Sequence, residues 1–286
     1  MIQSPTARGI AIFLLAGLMF TGMDLMAKLL ASRVHITQTL WARYAVQMVI
    51  VTALITPRAR QVLKTKYPRL QAVRSVFLFA ASVFFFAAYL RLDLAESIAI
   101  SQLSPLWLTL GGAIFLGERF GPARLIAVLI GLCGALIIIR PGTEAFTPWS
   151  FLPLIGTLCY AGYALTTRFV GADEDVWTSL FYSALFATVV LTVAMPFTWV
   201  PLERSDIPFL IGIGAFGAAG QLFLIRALSL TEAGILAPFF YCSFLWAVIF
   251  QITIFGDLPD TATLIGALVI VAAGLYVWRR ETRKSA

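Results

Sequence analysis

The chain has 286 residues, of which 60% are hydrophobic and 12% charged, and its mean hydropathy is +0.91. Soluble domains carry about 25% charged residues, so this chain has too few charges to cover a water-facing surface and lipid must cover most of it. The formal net charge of +7 sits beside apolar runs, where orientation in a membrane requires it, and this argues against a nucleic-acid partner.

Ten apolar runs follow one another, at roughly 9–31, 36–56, 74–91, 95–116, 123–140, 149–168, 177–198, 208–227, 233–255 and 261–278. Each approaches the roughly 20 residues a helix needs to cross hydrocarbon. The first is too long for a cleavable signal and contains Asp24 and Lys28. Backbone groups in lipid must bond internally, which predicts helices. A barrel needs alternation, and runs such as Leu129 to Ile139 do not alternate. The prediction is an all-α membrane protein of ten transmembrane helices. Lys and Arg concentrate on the side of the N-terminus, above all at Arg58, Arg60, Lys64, Lys66, Arg69 and Arg74. By the positive-inside rule both termini are cytoplasmic.

The two halves resemble each other. Gly117 matches Gly256, Glu118 matches Asp257 and Ala127 matches Gly266, all at an offset of 139. Five helices per half is an odd number, so the second copy enters the membrane upside down. The boundaries are 1–142 for the first repeat and 143–286 for the second, inverted one. Inverted repeats suit alternating access, because exchanging the conformations of the halves opens the opposite side.

These residues resemble a known family. Leu116-Gly117-Glu118-Arg119 before the fifth span and Arg140-Pro141-Gly142 after it look like the drug/metabolite transporter superfamily, EamA type. Leu236-Ala237-Pro238-Phe239 through Phe255-Gly256-Asp257-Leu258-Pro259-Asp260 resembles the branch of YddG-like amino-acid and metabolite exporters. Riboflavin and S-adenosylmethionine carriers look similar there. The resemblance implies a bacterial inner-membrane carrier with a central cavity lined by spans 1–4 and 6–9, and spans 5 and 10 peripheral. Its motifs belong to the scaffold and identify the fold more than the cargo. Spans 5 and 10 contain no charged residue, Gln or Asn between Leu125 and Ile139 and between Thr263 and Trp278. They can face lipid or, as a homodimer contact, a second copy of the chain.

The residues within the spans give candidates for transport. Span 1 carries Asp24 and Lys28 one turn apart on one face. Span 2 carries Arg43. At 1.5 Å per residue, Asp24 and Arg43 each lie roughly 10 Å in from the same end of the bundle. Intramembrane charges are costly and face an interior or a cavity. Two readings stand: an Asp24–Arg43 ion pair with Lys28 snorkelling outward, or a surplus of positive charge that receives a substrate carboxylate.

Span 4 carries Ser101, Gln102, Pro105 and Trp107, and span 9 carries Pro238, Tyr241 and Trp246. Paired interruptions in corresponding spans point to a transporter's binding site, although small and hydroxyl residues also serve helix packing. Tyr160 and Tyr163 share a face of span 6, and Gln221 of span 8 is a polar group in need of a partner. The expected partner is a small solute held by these residues. The pattern at Gly212, Gly214 and Gly217 spells a dinucleotide loop but lies inside an apolar span, where it reads as a small-residue contact face. Cys133, Cys159 and Cys242 have no metal spacing, His35 is the single histidine, and no Walker loop or nucleophile elbow occurs. No cofactor, metal or enzymatic activity is therefore expected. An intramembrane enzyme would need converging reactive groups that the sequence does not offer, and a non-transporting sensor would lack a central cavity.

Overall fold

The computed structural model describes residues 5–116, 122–141, 143, 147–170, 174–230 and 237–285. The Gly117-Glu118-Arg119 motif, Gly142 and Leu236 lie outside the described residues. Those described form ten helical rods: α1 (Pro5–Leu30), α2 (Ile36–Ile55), α3 (Pro68–Tyr89), α4 in two pieces (α4a, Leu94–Ser101; α4b, Ser104–Leu116), α5 (Pro122–Ile139), α6 (Phe151–Val170), α7 (Val176–Thr198), α8 (Ile207–Leu230), α9, and α10 (Thr261–Ser285). α9 changes winding twice, from a 3₁₀ stretch (Ala237–Tyr241) through an α stretch (Cys242–Phe250) to a π stretch (Gln251–Phe255).

Among the described residues, five helical stretches are long and apolar enough to cross a membrane by length and composition: Ala7–Leu30, Ile36–Arg58, Pro68–Tyr89, Val176–Thr198 and Ile207–Leu224. Leu125–Ile139, Phe239–Phe255 and Thr261–Tyr276 are shorter apolar helices. Ten helical rods are present, as the sequence predicts, but only part of them meet that measure, and local breaks account for some of the rest. Pro105 has no N–H to offer the Ser101 carbonyl, and α4 divides there.

Helix ends are set by local chemistry. The His35 ring accepts from the Thr37 N–H at the start of α2, and Asp175 accepts from the Trp177 N–H at 2.9 Å to start α7. Pro68 opens α3. Gly256, at φ 76°, adopts the left-handed conformation that ends α9.

The packing has a regular pattern. α1 packs on α8 and α3 on α6; α2 packs on α8 and α3 on α7; α1 packs on α9 and α6 on α4b. The second member of each pair follows from the first by a shift of five helices. α2–α7, α4a–α9 and α5–α10 are contacts that the same shift leaves unchanged. In lipid, burying apolar side chains against protein brings little hydrophobic gain, so close contact through small residues matters more. α5 and α10 show this. A Cβ added at Gly266 would stand 2.5 Å from the Gly134 carbonyl oxygen, so the two backbones touch. Their other faces carry exposed Ile126, Leu129, Leu136 and Leu268, which suit lipid.

Candidate functional site

α1, α2, α3, α4, α6, α8 and α9 line a cavity of about 200 Å³. Among the described residues, none of α5 or α10 lines it. Seven residues singled out from the sequence face it: Asp24, Arg43, Ser101, Gln102, Tyr160, Tyr163 and Gln221. Its apolar wall is aromatic, with Phe13, Phe20, Phe85, Phe86, Phe239 and Phe240.

The broken helices supply its polar floor. Pro105 cannot donate to the Ser101 carbonyl, and the Ser104 hydroxyl donates to it at 2.7 Å. The break leaves Gln102 between the two pieces of α4. Its Nε2 donates to the Phe240 carbonyl at 3.3 Å, and its Oε1 accepts from the Ser243 hydroxyl at 3.3 Å. The single Ser243 proton is shared with the nearer Phe240 carbonyl, at 2.8 Å. The interruption in α4 and the 3₁₀ stretch of α9 are thus tied together by one side-chain amide.

Asp24 and Arg43 face the same space but form no ion pair within 4.0 Å; the pairs among the described residues include Arg33–Asp206 and Arg140–Asp260. The Tyr89 hydroxyl reaches the Asp24 carboxylate instead. Arg43 is 7% exposed. Its guanidinium donates to the Ser82 hydroxyl at 2.7 Å and lies over the Tyr44 ring at 4.9 Å and the Phe86 ring at 5.5 Å. Its Nε is buried without an acceptor among the described residues. A carboxyl group and a guanidinium therefore face one cavity without a direct contact, the guanidinium with a donor to spare.

Four sequence candidates stand elsewhere. Lys28 donates to the Leu92 carbonyl at the turn between α3 and α4a, near Asp93 and Glu96. Sharing a helical face with Asp24 did not bring it into the cavity, because its long stem carries the ammonium outward. Tyr241 sits in the notch left by Gly274 of α10, where an added Cβ would collide with its hydroxyl oxygen. Trp107 and Trp246 do not line the cavity, and their indole N–H groups are buried without an acceptor among the described residues.

One charged residue was misplaced from sequence. Arg74 belongs to no surface loop: it is 4% exposed, on the face of α3 one turn before the cavity residue Leu78. Its position just after a cluster of loop cations hid it. Ser82, on the same face, is likewise a cavity residue that sequence reasoning missed. At the far end of the bundle, Arg140 takes a left-handed conformation at φ 50° and pairs with Asp260, which also caps α10 by accepting from the Thr263 N–H at 3.0 Å. Partial burial pushes the Asp260 carboxyl up. Hydrogen bonds from Thr263 and the Arg140 guanidinium outweigh it and hold the group below the usual carboxylate range.

The EamA-like transporter family model matches residues 7–140 and again 147–279. This chain belongs to that family. It is a transporter of the drug/metabolite superfamily, a multi-pass membrane protein, and not an enzyme. Among its relatives, the S-adenosylmethionine uptake transporter of Rickettsia felis is 26% identical over 276 residues, covering 96% of this chain and 94% of that one. The riboflavin transporter of Brucella anthropi is 28% identical over 249 residues, covering 85% and 88%. The pseudopaline exporter of Pseudomonas aeruginosa is 26% identical over 286 residues, covering 98% and 99%. One crystal structure superposes with a TM-score of 0.68 at 18% identity over 97% of this chain and 99% of that chain, a likeness of fold.

Proposed function

We propose that this EamA-family transporter is a secondary carrier for amino acids or related small metabolites across the bacterial inner membrane, working by alternating access. The observation that carries the reading is a carboxyl group and a guanidinium that face one cavity without a direct ion pair. A zwitterionic head group is complementary to that arrangement. Its ammonium meets Asp24 and its carboxylate meets Arg43, where a charge-assisted hydrogen bond forms away from bulk water. The aromatic wall of Phe20, Phe85, Phe86 and Tyr160 then takes the body of the solute.

Alternating access follows from an organisation that we read as ten membrane spans in two inverted repeats, residues 1–142 and 143–286, with both termini in the cytoplasm. Two things support this: the family model matches twice along the chain, and helix contacts repeat under a shift of five. The tie between α4 and α9 through Gln102 lies where the repeats would move against each other.

A second reading has support from the aromatic lining. The relatives include carriers named for S-adenosylmethionine and riboflavin. S-adenosylmethionine combines an amino-acid head with a flat base, so it fits the same charge arrangement. Riboflavin lacks that head and would leave Asp24 and Arg43 without partners.

The test is counterflow in liposomes holding the purified protein, with solute and pH varied separately and both flux directions measured. Labelled amino acid is expected to accumulate against unlabelled solute, and an analogue lacking the carboxylate to compete at least about tenfold more weakly. No accumulation of any zwitterion in the panel would overturn the reading.

A further inference from the structure

Arg74 is a buried cation that the cavity-lining residues leave unexplained. Its Nε donates to the Thr167 hydroxyl at 2.7 Å, one terminal nitrogen donates to the Ser179 carbonyl at 2.8 Å and lies within 3.4 Å of Gln71 and 3.3 Å of Ser183, and the other donates to the Tyr163 hydroxyl at 2.9 Å. Every one of these partners is neutral. No carboxylate among the described residues forms an ion pair with it. A charge in this position is expensive and is usually matched by an anion.

Its place in the fold supplies the rest. Arg74 stands six residues into α3 from the end of the bundle that holds the N-terminus, and Arg43 stands seven residues into α2 from the opposite end. At 1.5 Å per residue each is roughly 10 Å in from the start of its own helix, and the two helices start at opposite ends of the bundle, so the two guanidinium groups stand at successive depths along it. Between Arg74 and the cavity stand Leu78 and Tyr163, both of which line it. The Arg74 guanidinium also lies under the Tyr163 ring, 4.8 Å from its centroid. Tyr163 therefore shuts off a cation whose present partners are hydroxyls and carbonyls, groups that a carboxylate outcompetes for a guanidinium.

We propose that Arg74 is a second carboxylate-binding station on the transport path, shuttered from the cavity by Tyr163 and reached by the solute's carboxylate after it leaves Arg43. The proposal rests on the carrier reading for its direction of travel, but the station itself is a binding site. Rotation of the Tyr163 side chain breaks its hydrogen bond from Arg74 and the ring contact with the guanidinium, and presents the guanidinium to the cavity. The hydroxyl and amide groups around Arg74 hold it in place meanwhile.

The test uses the intact wild-type protein in liposomes, treated with 2,3-butanedione, an arginine-selective reagent small enough to enter the cavity. Modification at Arg74 is read by mass spectrometry of chymotryptic peptides. Phenylalanine and 3-phenylpropionate are the carboxylate probes, and phenethylamine is the matched control without a carboxylate. Modification of Arg74 is expected to proceed at a measurable rate, to slow about tenfold with either carboxylate, and to change less than about twofold with the amine. Tyr163→Phe, which keeps the ring and removes the acceptor, is expected to raise the rate about tenfold. An Arg74 that never reacts, that all three probes protect equally, or that is indifferent to Tyr163→Phe would make it a permanent bolt between α3, α6 and α7 and overturn the proposal. Counterflow on the same liposomes keeps the two ideas apart. Flux without carboxylate protection at Arg74 sinks the station alone, and protection without flux sinks the carrier reading alone.

Discussion

The α4–α9 pair and the α5–α10 pair occupy equivalent places in the helix pattern, since a shift of five exchanges the members of each, yet they are built in opposite ways. α4 and α9 are broken, polar and joined by hydrogen bonds through Gln102. α5 and α10 are unbroken and meet backbone to backbone at Gly134 and Gly266. The first pair exposes hydrogen-bonding groups to a cavity and the second exposes none. The contrast teaches that the protein separates work from support by helix pair. Freed carbonyls and amides are tolerated in lipid only where protein or water covers them, so breaks are confined to the helices that line the cavity.

Substitutions sharpen this division. Gly266→Val has the largest expected effect, because the obstacle is the Gly134 carbonyl oxygen, a backbone atom that cannot rotate away. Overpacking of this kind costs about 3 kcal/mol, and the melting temperature in detergent should fall accordingly. A melting temperature equal to that of the wild type would show that the α5–α10 contact is not structural.

Arg43→Ala acts on the other side of the division. Loss of a charge-assisted hydrogen bond costs about 2 kcal/mol, so counterflow of carboxylated solutes should weaken by about tenfold or more, with membrane insertion unaffected. Lys28→Ala is the control. Its ammonium holds the Leu92 carbonyl outside the cavity, so the preference for carboxylate should stay within about twofold of wild type. Equal losses in both variants would return Lys28 to the binding group.

Gln102→Ala removes the tie between the two breaks. A neutral hydrogen bond contributes about 1 kcal/mol, which corresponds to a severalfold change in counterflow rate with little change in melting temperature. A rate at the wild-type level would mean that the breaks move independently.

The smallest effect belongs to the Arg140–Asp260 clasp between the ends of α5 and α10. The Asp260 carboxyl is held below its unfolded value, so its contribution to stability is present above the ordinary Asp range, near about 4, and fades as the pH falls through the folded value. The pair is solvent-exposed, with side chains 35% and 42% accessible, which limits the contribution to under about 1 kcal/mol. Asp260→Asn should lower the melting temperature slightly at pH 7 and by less at pH 3. A loss of equal size at both pH values would assign the effect to capping of α10 instead.

Much of this division was legible in the sequence because polar groups in apolar runs are costly and must have a reason. Asp24, Arg43 and Gln102 stood out on that ground, as did Pro105. What failed was direction. An apolar helix surrounded by lipid and protein shows little difference between its faces, so the sequence could not say that Tyr241 turns to α10 while Ser243, two residues on, turns to the cavity. Arg74 failed for another reason. A cation just inside a span, following Arg69 and Lys66, has the same signature as a residue that sets orientation, and only its neutral, buried partners distinguish it.

The seat of Tyr241 against Gly274 has a consequence for how motion spreads. The phenol sits at the junction between the 3₁₀ and α stretches of α9, and it fits into α10 as a cog tooth fits a gap. A twist of that junction must either drag the outermost rod along or slide over bare backbone. A spin label on the lipid-facing side of α10 would then register events at the heart of the bundle from a position that no solute ever touches.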